Sequence, residues 1–206
     1  MFSLCYTEGT NTQEVSPMQK KSLFTTKKIV LSALLAALTV VGSAIRVPVP
    51  LDIAGTTAFH LGNIMCALCG ILMGPWLGGL AAGLGSAIYD MLNPLYISEA
   101  WITFLFKGLY GLCAGLVVHA GNKNWNYGKA IAGTTLGAVV YGLIYLAKSY
   151  FYNGLLIHNL TAEAAWITVL GKLPATIFNA AVAIAFAPLL AMAIRTALKN
   201  AHLSLE

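Results

Sequence analysis

Charge is scarce in this chain of 206 residues. Asp, Glu, Lys and Arg make up 9% of it, while 58% is hydrophobic and the mean hydropathy is +0.77. Soluble domains carry about 25% charged residues. A core of this size does not require so few charges, whereas lipid as the solvent does, so the chain reads as an integral membrane protein. Several chemical signatures are also missing. Without GxxxxGK[ST] the chain has no site of its own for hydrolysing ATP. Without HExxH, GxSxG or a partnered pair of carboxylates, no catalytic residue is assigned. Cysteine is sparse, at four residues, and the one CxxC (Cys66 and Cys69) stands alone in an apolar run. Zinc signatures need about four ligands, so Cys5, Cys66, Cys69 and Cys113 read as small apolar fillers, with no metal and no cofactor expected. The net charge of +5 comes without a basic patch interleaved with aromatics, which argues against nucleic acid. The two related halves usual in secondary transporters are lacking too.

What is present is six apolar runs: Ile29–Ile45, Leu61–Met73, Trp76–Leu92, Ala100–His119, Lys129–Tyr152 and Ala164–Leu198. A straight span needs about 20 residues. Runs two and three are short, which predicts tilted or re-entrant helices joined by a tight turn at Gly74-Pro75. Run six is long and contains Pro174 and Pro188, which predicts a kink or an interfacial continuation. The expected class is all-α: a bundle of six transmembrane helices over residues 25–200. A flexible polar tail is expected over 1–24, with Met18 as an alternative start and no cleavable signal peptide, and a short tail over 201–206.

Orientation follows from the lysines and arginines. Lys20, Lys21, Lys27, Lys28, Lys123, Lys129, Arg195 and Lys199 all fall on one side if the chain crosses six times. By the positive-inside rule that side, with both termini, is cytoplasmic. The outer loops then hold Asp52, Glu99, Glu163 and Arg46.

This orientation collects the ionisable residues. Asp90 lies at the outer end of run three, and Lys107 about 10 Å below the outer start of run four. His60 and Asn63 open run two, Lys148 and Asn153 close run five, and Glu163, Trp166 and Lys172 open run six. Ionisable groups at membrane depth are costly and face a protein interior or a wet cavity. Their shared depth predicts one polar pocket open to the outside, with Trp and Tyr available to stack on a small solute. Taken singly, several have plainer explanations. Lys148 reads as a snorkelling interface lysine, Arg46 and Glu163 as solvated ends, His60 as a helix cap, and the tyrosines with Trp101 as an interfacial belt. Asp90 and Lys107 also fit a structural ion pair with no ligand.

Small residues spaced by four recur at Gly70, Gly74 and Gly78, at Gly79 and Gly83, at Gly111 and Gly115, and at Gly133 and Gly137. Such spacing lets helices approach closely in lipid. Run one carries Ala33 and Ala37 with Ala36 beside them, a face suited either to internal packing or to docking another membrane subunit.

Three stretches carry a resemblance: TTKKIVLSALLAALTVVGSAIRVPVP (25–50), FHLGNIMCALCGILMGPWLGGLAAGLGSAIYD (59–90) and ITFLFKGLYGLCAG (102–115). In their order and spacing they resemble the substrate-binding (S) components of energy-coupling factor (ECF) vitamin transporters, over roughly residues 25–120. Beyond that the likeness rests on helix number and KLPATIFN (172–179). It implies a six-helix bundle in the plasma membrane of a prokaryote that holds a water-soluble vitamin or precursor near the outer surface. It implies docking through Ala33, Ala36 and Ala37 to a transmembrane coupling subunit, completed by two cytosolic ATPases. The loaded subunit would topple in the membrane to release its solute. Phe59, His60, Asn63, Asp90 and Lys107 match the family's motif positions, and Tyr89, Glu99, Asn153, Trp166 and Lys172 join them by depth. Asn63 stands where a pyrimidine, pyridoxine or flavin subgroup would carry an acid after LG, so a pyrimidine-, pyridine- or flavin-type solute is a first expectation only. The rival readings are a stand-alone carrier or channel, a small intramembrane enzyme using His60, Asp90 and Lys107, and a purely structural subunit.

Overall fold

The computed structural model describes residues 25–51, 56–121 and 126–201. The tail expected at 1–24, with Cys5, Met18, Lys20 and Lys21, lies outside the described residues, as do all but the first residue of the tail expected at 201–206 and Asp52 and Lys123.

Six α-helices follow the six apolar runs: α1 (Thr26–Ala44), α2 (Gly62–Met73), α3 (Pro75–Leu92), α4 (Ala100–His119), α5 (Tyr127–Lys148) and α6 (Ala162–Asn200). A single turn of 3-10 helix, Ile97–Glu99, leads into α4, and a π-helical stretch, Ser149–Ile157, extends α5. Four stretches are long and apolar enough to cross a bilayer: α1, Ile97–His119, Tyr127–Ile157 and α6. At 1.5 Å per residue α2 measures about 18 Å and α3 about 27 Å, both below the roughly 30 Å of hydrocarbon. α6 stays helical through Pro174 and Pro188 for 39 residues. That is about 58 Å, so it tilts or runs past the lipid.

The all-α bundle carries one addition that the apolar runs do not show. Between α1 and α2 the chain forms an antiparallel hairpin, β1 (Arg46–Pro50) and β2 (Thr56–His60), with Arg46 opposite His60 and Pro50 opposite Thr56. RVPVP reads as a loop because proline cannot donate to a ladder, but a two-stranded ribbon has free edges where proline is tolerated. The hairpin lies along α6. Asn179 Oδ1 accepts from the His60 backbone N–H (3.0 Å), and Asn179 Nδ2 donates to the Ala58 carbonyl (2.9 Å). Removing both bonds with Asn179→Leu should cost about 1–3 kcal/mol, because a backbone donor and acceptor lose their partner. The expected readout is a lower melting temperature in detergent, with faster hydrogen exchange at residues 58–60.

α2 is the centre of the bundle, with ten of its twelve residues buried. It packs among α1, α3, α4 and α6. Gly74 makes the turn into α3 at φ 81°, a conformation that glycine adopts without strain, and Pro75 starts α3 where no backbone donor is needed. The helices cross on glycine: a Cβ at Gly70 would fall 2.1 Å from the Gly111 carbonyl oxygen. Ala36 also faces inward, with its carbonyl oxygen 2.4 Å from where a Cβ at Gly85 would sit. It therefore separates from Ala33 and Ala37, which are exposed on one face of α1 with Val30, Leu34 and Val41. At 100° per residue, position 36 lies 100° round the helix from 37 and about 60° from 33, at the edge between the exposed face and the buried one.

Candidate functional site

The C-terminal ends of α1, α3 and α5 and the N-terminal ends of α4 and α6 gather around the hairpin. They enclose a cavity of about 420 Å³. Small-molecule sites run to about 300–1,000 Å³. Seven of the ten residues singled out in the sequence line it: His60, Asn63, Asp90, Glu99, Lys107, Asn153 and Lys172. Three do not. Phe59 turns to the opposite side of β2 from His60 and sets its ring edge-on against Phe178 of α6, centroids 4.9 Å apart. Tyr89 sits beside the lining, its hydroxyl accepting from Asn93 Nδ2 at 3.3 Å. Trp166 is mostly exposed and leans on Tyr150, 5.0 Å away.

The deepest cation is Lys107. Its Nζ donates to Asn63 Oδ1 and lies 4.2 Å from the centre of the Tyr141 ring. Asp90 does not form a close ion pair with it, and Thr103 is the carboxyl's hydrogen-bond neighbour. Nearer the mouth, Glu99 holds an ion pair with Lys148 and accepts from Asn153 Nδ2 at 2.7 Å. Asn153 Oδ1 is buried without a partner among the described residues, leaving an acceptor for a ligand N–H. Lys172 Nζ donates to Ser149 Oγ at 3.3 Å and faces the Tyr145 ring at 5.9 Å. Tyr110, Tyr141 and Tyr145 stack in series at 5.9 Å spacing. Burial, with Lys107 and Arg46 close by, holds the His60 ring in the hairpin well below the usual imidazole range.

Several lining residues escaped the sequence reading. Arg46 is no solvated end. It lines the cavity with its guanidinium 4.4 Å from the Tyr89 ring centre and 4.8 Å from that of Tyr96, and its Nε donates to the Ser43 carbonyl. Lys148 does not snorkel, because the chain continues helically beyond it and its ammonium turns to Glu99. Tyr141, Tyr145 and Lys148 share one face of α5 at steps of four and three, a spacing visible in the sequence. The CxxC cysteines are both buried and neither lines the cavity, with Cys66 Sγ behind the lining residue Ser86 (Oγ) and Cys69 Sγ against Thr39 Oγ1, each at 3.5 Å.

Residues 23–196 match the family model described as ECF-type riboflavin transporter, S component. The chain belongs to that family. It is a vitamin-uptake S component and a multi-pass protein of the cell membrane, and the family is a transporter component rather than an enzyme. Among its relatives, a Pyrococcus woesei protein named for its place in the gap 3′ region is 36% identical over 118 residues, which is 57% of this chain and 74% of that protein. UPF0397 proteins of Streptococcus gordonii and Streptococcus pneumoniae are 34% identical over 94 residues and 37% identical over 93. Those two alignments cover 46% and 45% of this chain and span about half, 48%, of each streptococcal protein.

Proposed function

We propose that this S component captures a water-soluble vitamin or vitamin precursor in the cavity and carries it across the membrane as part of an ECF importer. The observation that carries the reading is the cavity itself. Charged, amide and tyrosine side chains from five helices and a hairpin converge on about 420 Å³ of space at one end of an apolar bundle. Such groups are expensive at membrane depth unless a polar solute uses them. A ring-bearing solute of pyrimidine, pyridine or flavin type suits the tyrosine stack.

The rest of the importer follows from the same bundle. At the end opposite the cavity lie Lys27, Lys28, Lys129, Arg195 and Lys199, and on six crossings the positive-inside rule supports reading that end as cytoplasmic. The exposed Ala33 and Ala37 face docks a transmembrane coupling subunit, and two cytosolic ATPases supply the free energy.

Reconstitution tests this directly. Uptake of the bound solute into proteoliposomes should require the coupling subunit, both ATPases and ATP inside, whereas solute binding should need this chain alone. Uptake by the chain alone, independent of ATP, would make it a stand-alone carrier instead.

A further inference from the structure

The charge balance of the cavity selects the kind of solute, on the reading just given. Among the described residues, four cations line it, Arg46, Lys107, Lys148 and Lys172, against two carboxylates, Asp90 and Glu99. Glu99 is already engaged by Lys148 and Asn153. Among the described residues, Arg46, Lys107 and Lys172 are then left with Asp90 and, at longer range, the already paired Glu99. Lys107 and Lys172 are each only 5% exposed, and the side chains they donate to, Asn63 and Ser149, are neutral. A neutral acceptor satisfies a proton but does not offset the cost of taking an ammonium out of water, which an anion does.

The two lysines also border one aromatic surface. Lys107 lies over Tyr141 and Lys172 faces Tyr145, and these rings stack 17 to 18° from parallel with the next ring in the Tyr110–Tyr141–Tyr145 series. We infer that the carried solute is an anion at neutral pH, a planar ring compound bearing a carboxylate or phosphate. Its ring lies along Tyr141 and Tyr145, and its anionic group sits against Lys107 and Lys172. A neutral solute leaves the surplus of cations in place, and a cationic one adds to it.

Pairs of compounds that differ in charge test this on the full chain purified in detergent, by calorimetry and thermal shift. Nicotinamide against nicotinate probes a carboxylate. Riboflavin against riboflavin 5′-phosphate and pyridoxal against pyridoxal 5′-phosphate probe a phosphate, and thiamine serves as the cation. The anionic member of at least one pair should bind about ten- to hundredfold more tightly. That preference should vanish in Lys107→Gln or Lys172→Gln and return in the matching Lys→Arg variant. If either Gln variant fails to fold, the preference of the unaltered chain still decides. A neutral or cationic member that binds as tightly or better in every pair that binds overturns the inference and leaves the binding-subunit reading intact. An anion preference that survives both Gln variants overturns the assignment to these lysines. If no compound binds, the solute released from the purified chain decides by its charge, and a chain that also carries none overturns this inference and the reading beneath it.

Discussion

Replacing Ala33 and Ala37 together by Trp is expected to abolish uptake in cells while solute binding in detergent changes by no more than about twofold. Both residues are exposed, on a face of α1 with Val30, Leu34 and Val41. Two indoles there meet nothing inside this chain. Between membrane helices the driving force is close approach over small residues, since lipid tails are as apolar as leucine, so added bulk on such a face removes the contact itself. Ala36 serves as the contrast, because it is half-buried and packed against the core, so a bulky residue there should damage folding instead. Radiolabelled uptake in cells expressing the complete importer, alongside calorimetry on the purified variant, separates the two effects. Uptake that persists would mean that the coupling subunit docks elsewhere. Loss of binding would mean that this face belongs to the bundle's own packing.

Gly70→Leu should leave little folded protein. A Cβ at that position falls 2.1 Å from the Gly111 carbonyl oxygen and 3.0 Å from the Gly115 nitrogen, so backbone meets backbone where α2 crosses α4. No flexible side chain can move aside, and α2 is the buried centre of the bundle. Overpacking usually costs about 1–3 kcal/mol, and a backbone clash belongs at or above the upper end. The expected result is a melting temperature well below that of the unaltered chain and an aggregated profile by size exclusion in detergent. Gly128→Leu is the control. A Cβ there meets only the Asn126 side chain at 3.6 Å, an ordinary contact, so that variant should behave normally. A Gly70→Leu chain as stable as the original would mean that α2 and α4 do not cross at this glycine.

The helices and much of the cavity were legible because both rest on one strong effect, the cost of placing polar groups in lipid. Apolar run length gave six helices within a few residues of their ends. Shared depth singled out Asn63, Asp90, Lys107 and Lys172, which do come together around one space. Depth is a poor guide where a helix outruns the bilayer. Asn179 stands well inside α6, yet that helix has 39 residues, and Asn179 ties down the hairpin beside the cavity. Lys148 was misread for a related reason, since Ser149–Ile157 prolongs α5 past the point where a lysine would reach the interface. The hairpin was hidden by Pro48 and Pro50, and with it the role of Arg46, because a strand pairing depends on a partner ten or so residues away that local propensity does not register. Trp166 shows the converse: a large aromatic near the right depth faces outward, as an interfacial residue does.

The most direct test of the account is native mass spectrometry of the detergent-purified chain, with release and identification of whatever small molecule it carries. A ring compound of vitamin size is expected on the unaltered protein, absent or greatly reduced in Lys107→Ala, with the variant still eluting as a folded species. A chain that is empty as purified, and that no vitamin-type compound stabilises against heat, would contradict it. The polar groups around Lys107 would then serve only to order the bundle.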